Sequence, residues 1–204
     1  MCIRDRKYVF ITTSANFGNM VSMAGASLFL PFLPLLPKQI LLNNFLSDAP
    51  SMTIATDRVD VEQVERPRRW NIRLIRNFML VFGLVSSVFD CLTFAALLYW
   101  LKATESQFQT GWFIESLLTE LVVVLVMRTH RPCFKSTPGR LLLQTTSVVA
   151  GVAMVLPFTT VGAMFGFVRL PPLFVLSLVG ITAGYVAATE VVKRWFFRRA
   201  EALA

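Results

Sequence analysis

Asp48 lies inside an apolar stretch, in the run Asn43-Asn44-Phe45-Leu46-Ser47-Asp48-Ala49-Pro50. That combination has the makings of a cation site. A carboxylate at bilayer depth costs about 2.5–3.5 kcal/mol on insertion scales, so its presence in such a stretch argues for function. Asn44 stands one helical turn before it and therefore on the same face. Pro50 removes a backbone donor and crowds the preceding turn, so the helix is expected to kink or unwind beside the carboxylate. A broken helix that presents carbonyl oxygens next to an acidic side chain is one way transporters hold cations at the membrane midplane. The alternative is a buried Asp satisfied by a neighbouring helix, with Pro50 as a plain kink.

Other polar groups recur in apolar surroundings. Asn16 and Asn19 are three residues apart and share a face, within a segment that also carries Thr12, Thr13, Ser14 and Ser22. Taken alone, this stripe reads as helix–helix glue, with Gly18 and Gly25 allowing a neighbouring backbone close. Glu115 and Glu120 are five apart and so point in different directions around one helix. Asp90 follows Ser86 and Ser87 in another apolar segment. Four acidic groups in one small bundle exceed what packing alone would justify.

The elements that must position these groups follow from composition. The chain has 204 residues, 55% of them hydrophobic and only 16% charged, with 18 Phe and a mean hydropathy of +0.61. These values describe an integral membrane protein. Six segments approach a bilayer span, at roughly Tyr8–Leu33, Lys38–Thr56, Ile75–Leu101, Trp112–Met127, Leu141–Phe158 and Leu173–Val192. The net charge of +8 is concentrated between them, in the stretches Arg4–Lys7, Arg58–Arg76, Arg128–Arg140 and Lys193–Arg199. The remaining connections hold only Lys38, Lys102 and Arg169. The positive-inside rule then places both termini and the loops after the second and fourth segments in the cytoplasm. The expected fold is an all-α, polytopic transmembrane bundle of six spans in three hairpins. Pro31, Pro34 and Pro37 make the first hairpin connection a tight non-helical one.

Several function classes fall away. No basic recognition helix or aromatic platform supports nucleic acid as a partner, and membrane lipid is the partner composition implies. Cys2, Cys91 and Cys133 lack metal or redox spacing, and the lone His130 sits in a basic juxtamembrane run. No serine triad, phosphate-binding glycine loop or GxGxxG fingerprint is present. Met1–Arg6 lacks the apolar core of a signal peptide. Residues 1–6 read as a truncated or foreign start, 7–199 as the membrane domain and 200–204 as a cytoplasmic tail. Arg66-Pro67-Arg68-Arg69-Trp70 is equally a topogenic signal or a docking surface for a cytoplasmic domain.

The runs Thr13–Asn19, Pro31–Phe45, Asp48, Thr56–Asp60, Arg66–Trp70, Ser86–Asp90 and Phe108–Glu115, with Arg128-Thr129, resemble the membrane domain of P-type cation-transporting ATPases. Within that superfamily the chain is most similar to the bacterial magnesium-transporting branch. The resemblance covers about Lys7 to Phe197 and corresponds to the last six of the family's ten membrane helices. It implies a location in the bacterial inner membrane and magnesium as the transported ion. It also implies a cation site drawing on Asn16, Asn19, Asn44, Asp48 and Glu115, a donor set of hard oxygens suited to a partly hydrated Mg²⁺. Asp90 is expected to be structural, and Glu120 is left unassigned.

This chain has no DKTGT phosphorylation motif. ATP would therefore enter only through nucleotide-binding and actuator domains elsewhere in a pump, which also has four earlier membrane helices. By the resemblance, the chain is a membrane-domain fragment without catalytic residues of its own and inactive alone. A self-contained six-helix passive channel or carrier, and a structural membrane subunit, remain the alternatives.

Overall fold

The computed structural model describes residues 3–54, 72–129 and 137–202. Residues 55–71 and 130–136, which hold much of the arginine-rich loops together with His130 and Cys133, lie outside the described residues, as do Cys2 and the last two positions. All regular structure among the described residues is helical: α1 (Ile3–Phe29), α2 (Pro37–Thr53), α3 (Ile72–Ala95), α4 (Glu105–Met127), α5 (Arg140–Val155), α6 (Thr160–Met164) and α7 (Pro172–Ala202). Each of the six expected apolar segments falls on a long helix. Only the short α6 was not anticipated.

Local chemistry sets the helix ends. Prolines keep residues 31–36 out of a helix, and Pro37 then opens α2, where its missing N–H costs nothing. Leu36 has no capping oxygen, but its N–H donates to the Gln39 Oε1 at 3.0 Å, which ties the first turn. The same device starts α4, where the Thr104 N–H donates to the Gln107 Oε1 at 3.0 Å. At its far end α3 widens into a π turn over Ala96–Trp100. The Leu101 N–H closes that turn on the Ala96 carbonyl at 2.9 Å, and Lys102 breaks the chain away with φ 47.

Pro50 does not unwind α2 at Asp48. The helix runs without interruption through it to Thr53. Pro50 removes one backbone donor, the one that would reach back to the Leu46 carbonyl, and the helix continues past it. Hydroxyl groups add further bonds to the same stretch, with Ser51 Oγ donating to the Ser47 carbonyl at 2.9 Å and Thr53 Oγ1 to the Pro50 carbonyl at 2.7 Å.

The centre of the bundle is α4, which touches α1, α2, α3, α5 and α7. Its Phe108, Trp112, Phe113, Leu117 and Leu121 are all buried. α1 and α3 pack closely because small residues line their seam. A methyl group on Gly18 would stand 2.9 Å from the Ser86 Cβ and 3.1 Å from the Gly83 carbonyl. The Ser87 hydroxyl lies between the Gly18 and Gly83 carbonyls at 3.2 and 3.1 Å. Gly25, expected to serve the same purpose, meets nothing within 4 Å.

Among the described residues, four helical stretches are long and apolar enough to cross a membrane: Ile75–Trp100, Glu105–Met127, Arg140–Phe158 and Pro172–Phe196. α1 and α2 are not in this group. α2 has only 17 residues, and polar residues that the sequence singles out, Asn16 and Asn19 in α1 and Asn43, Asn44 and Asp48 in α2, interrupt the apolar character of both.

Candidate cation site

α4 organises two polar centres on different sides of its axis. Glu115 and Glu120 are separated by about 140° at 100° per residue, so one reaches the α1–α3 seam and the other the α1–α2 seam. On the first side Asp90 of α3 is buried, and both its oxygens are engaged. Trp112 Nε1 donates to Oδ1 at 2.9 Å, and Ser22 Oγ donates to Oδ2. Glu115 is fully buried beside Asp90, and neither of its oxygens has a donor.

On the other side, Glu120 is buried where α4 meets α1 and α2. Asn19 Nδ2 of α1 donates to its Oε1. Asn43 Nδ2 of α2 lies 3.5 Å from its Oε2 and 3.5 Å from Ser116 Oγ. Glu120 also forms part of an open cleft whose other walls are Ile11, Thr12, Ala15 and Asn16 from α1, Ser47, Asp48 and Ser51 from α2, and Val124 from α4. Its interior has room for a water-sized particle.

The structure brings some of the expected ligands together and separates others. Asn16 and Asp48 line the same cleft from facing helices, and both side chains are exposed. Asn19 adjoins this group through Glu120. Asn44 is exposed and does not line the cleft; its neighbour Asn43 is the asparagine that turns into the bundle. Glu115 belongs to the Asp90 centre. Glu120, Asn43 and Ser47 were not anticipated as members of the site. Their sequence signal is present in retrospect: Ser116 with Glu120, and Asn43 with Ser47, each stand four apart on one helix face.

Among the described residues no three His, Cys, Asp or Glu side chains form a group that could hold a metal. A cation in the cleft would have to combine carboxylate with amide and hydroxyl oxygens, the donor mixture suited to hard ions such as Mg²⁺ or Ca²⁺. The site offers no paired nucleophile and base.

Residues 32–195 match the family model described as cation transporting ATPase, C-terminus. Over 199 residues the chain is 40% identical to the magnesium-transporting ATPase, P-type 1, of Escherichia coli strain K12, which covers 95% of this chain and 22% of the relative. It is 39% identical over 199 residues to a protein of the same name from Salmonella typhimurium strain LT2, and 36% over 198 residues to a second one from that strain. The chain thus spans 22% of the length of these curated relatives.

Proposed function

The chain belongs to the cation-transporting ATPase C-terminal family, and from that premise we propose that it forms part of the translocation pathway of an ATP-driven divalent-cation pump, with magnesium as cargo. The cation follows the names its relatives carry. Phosphorylation and ATP binding would be supplied by parts of the pump outside this chain, whose sequence has no DKTGT motif. The observation that carries the reading is the cleft between α1, α2 and α4, where Asp48, Asn16 and Ser47 offer oxygen to a hard cation.

In this reading Asp48 is the principal charged ligand and Asn16 a neutral one across the cleft. Asn19 steadies the α4 side of the site through Glu120. Asn44 stands on the exposed face of α2, where further helices of the pump would close over it. Glu115, with its two donor-free oxygens, stands in the Asp90 centre on the other side of α4 and would serve the pathway there, apart from this cleft. The pump would expose this pathway alternately to the two sides of a bacterial inner membrane, driven by phosphorylation elsewhere.

The test is a segment swap. The matching segment of the E. coli relative is replaced by residues 7–199 of this chain, and Mg²⁺ uptake is followed in cells. ATP-dependent uptake by the hybrid is the expected result. An inserted, well-expressed hybrid without uptake contradicts the reading. Passive Mg²⁺ flux through vesicles holding this chain alone favours a self-contained channel.

The reading also requires α1 and α2 to cross the membrane, giving six spans with both termini cytoplasmic. Reporter fusions after Arg69 and after Lys135 are expected to report the cytoplasm, and a fusion at Glu105 the opposite side. A cytoplasmic signal at Glu105 breaks the six-span arrangement.

A further inference from the structure

Gln39, in the first turn of α2, is fully buried. A buried amide must place both its ends, and here each has a partner. Its Oε1 accepts from the Leu36 N–H, and its Nε2 donates to the Phe165 carbonyl at 3.1 Å. The neighbouring Lys38 Nζ donates to the Met164 carbonyl at 2.6 Å. Those two carbonyls stand at the C-terminal end of α6, where a helix has no N–H left to offer them. Gly166, with φ 84, turns the chain away just behind them. The receiving segment is itself fixed to α4. The Val168 N–H donates to Thr110 Oγ1 at 3.1 Å, and the Phe167 ring packs on Phe113 with centroids 4.5 Å apart. The start of α2 is therefore tied by side chains to an anchored part of the bundle.

We propose that Gln39 is a positioning residue of the cation site: by tying the first turn of α2 to the α6–α7 connection, it fixes the roll that turns Ser47 and Asp48 to the cleft. The inference rests on the cation-pathway reading and adds to it a residue that touches no cation. Apolar burial alone does little to choose this roll, because Ile40, Leu41, Leu42, Phe45 and Leu46 are spread around the helix. The polar residues are ordered instead. Gln39, Asn43, Ser47 and Ser51 follow at four-residue spacing and drift only about 40° per step, and Gln39, Asn43 and Ser51 are buried. Asp48 stands about 180° from Gln39, at the margin of that face, and lines the cleft together with Ser47 and Ser51. A roll of one residue's step, about 100°, in one direction would put Leu42 and Leu46 in the places of Asn43 and Ser47 and carry Asp48 off the cleft. The same step in the other direction would turn Asp48 inward in place of Ser47.

The test reads the roll at the far end of α2, where the Thr53 and Thr145 hydroxyls lie 3.1 Å apart across α2 and α5. The 204-residue chain carries Cys2→Ser, Cys91→Ser and Cys133→Ser in lipid nanodiscs. Thr53→Cys with Thr145→Cys is then expected to form a disulfide on oxidation. Gln39→Met keeps length and loses both hydrogen bonds. It is expected to abolish most of the crosslink, because a disulfide tolerates Cα separations only up to about 7 Å. Gln109→Met controls for general loosening: it removes a comparable bond, from Gln109 Nε2 to the Leu33 carbonyl at 2.9 Å, that does not tie α2 to α6. Lys38→Met, at an exposed position, removes the companion bond and should give a smaller loss of the same kind; it decides the matter where Gln39→Met does not fold. A native crosslink in the deciding variant overturns the proposal, and so does an equal loss in Gln109→Met. In the hybrid pump, Gln39→Met should raise the half-saturating Mg²⁺ concentration about tenfold, the lower end of what partners that orient metal ligands cost, with maximal turnover less affected. Asp48→Asn in the same hybrid separates this inference from the reading beneath it. If Asp48→Asn loses Mg²⁺-dependent turnover while Gln39→Met keeps native half-saturation, the pathway reading stands and Gln39 is no positioning residue. If neither variant alters the Mg²⁺ dependence, both fall.

Discussion

Asp48→Asn in a pump carrying this segment is expected to collapse cation-dependent turnover while the protein still folds. The substitution preserves size, and an amide is cheaper to hold near the bilayer interior than a carboxylate. The Asp48 side chain is exposed at the cleft, so no packing is lost. What disappears is the charged oxygen ligand, and a hard divalent ion has no good substitute for it. A loss of about 100-fold in turnover is expected, at the upper end of what even outer partners of metal ligands cost. ATPase activity at matched expression, read against Mg²⁺ concentration, checks it. Asn44→Ala should do much less, since water can stand in for one neutral oxygen.

The second large effect concerns stability. Lys193 is fully buried in α7, and its Nζ lies 2.8 Å from Glu190 Oε2 and 3.0 Å from the Val126 carbonyl in the last turn of α4. The ammonium thus joins two helices and neutralises a carboxylate. Among the described residues, Lys193→Ala leaves Glu190 paired with Arg194 alone, whose Nε lies 3.6 Å away and whose side chain is 57% exposed. Breaking a buried pair from one side costs on the order of 3–5 kcal/mol, and the remaining arginine places the expected loss near the lower figure, about 3 kcal/mol. Arg194→Ala, on the exposed side, should cost less than about 1 kcal/mol. Thermal melting in detergent separates the two. Equal losses would mean that the Lys193 contacts do not hold α7 to α4. The double variant Lys193→Met with Glu190→Leu should recover much of the loss, because a buried pair replaced by apolar groups removes both desolvation costs.

The helices were legible in the sequence because lipid imposes a simple constraint. Spans must be long and apolar, and the cluster Pro31, Pro34 and Pro37 marks a connection and the start of the next helix. The short α6 was not legible. It is a single turn behind Pro157, capped by Thr159 Oγ1 accepting from the Gly162 N–H at 3.0 Å. It exists only because Gly162 lacks a side chain, since a Cβ there would sit 1.9 Å from the Leu156 carbonyl oxygen. Pro50 shows the limit of a local rule: it marks where a kink or break is expected, and the helix nevertheless runs on to Thr53.

The site was legible in its residue types and less so in its faces. Asn43 and Asn44 are adjacent, about 100° apart on one helix. Which of them enters the bundle is decided by how α2 rolls against α4, a tertiary fact. The separation of Glu115 from Glu120 was readable from spacing, and the structure gives each a different neighbourhood. Glu120 stayed unassigned because its partners, Asn19 and Asn43, lie about a hundred and about eighty residues away in sequence, a relation that no local pattern encodes.

The most direct measurement is a single Mg²⁺ titration of ATPase activity comparing Asp48→Asn with Asp90→Asn in the same pump at matched expression. Asp90 already has both oxygens engaged, by Trp112 and Ser22, so its amide variant should keep near-native Mg²⁺ affinity and lose mainly yield. Asp48→Asn should lose Mg²⁺-dependent turnover almost completely. Near-native affinity and turnover in Asp48→Asn, with the larger loss in Asp90→Asn, would contradict the account and move the cation path from the α1–α2–α4 cleft to the α1–α3–α4 side.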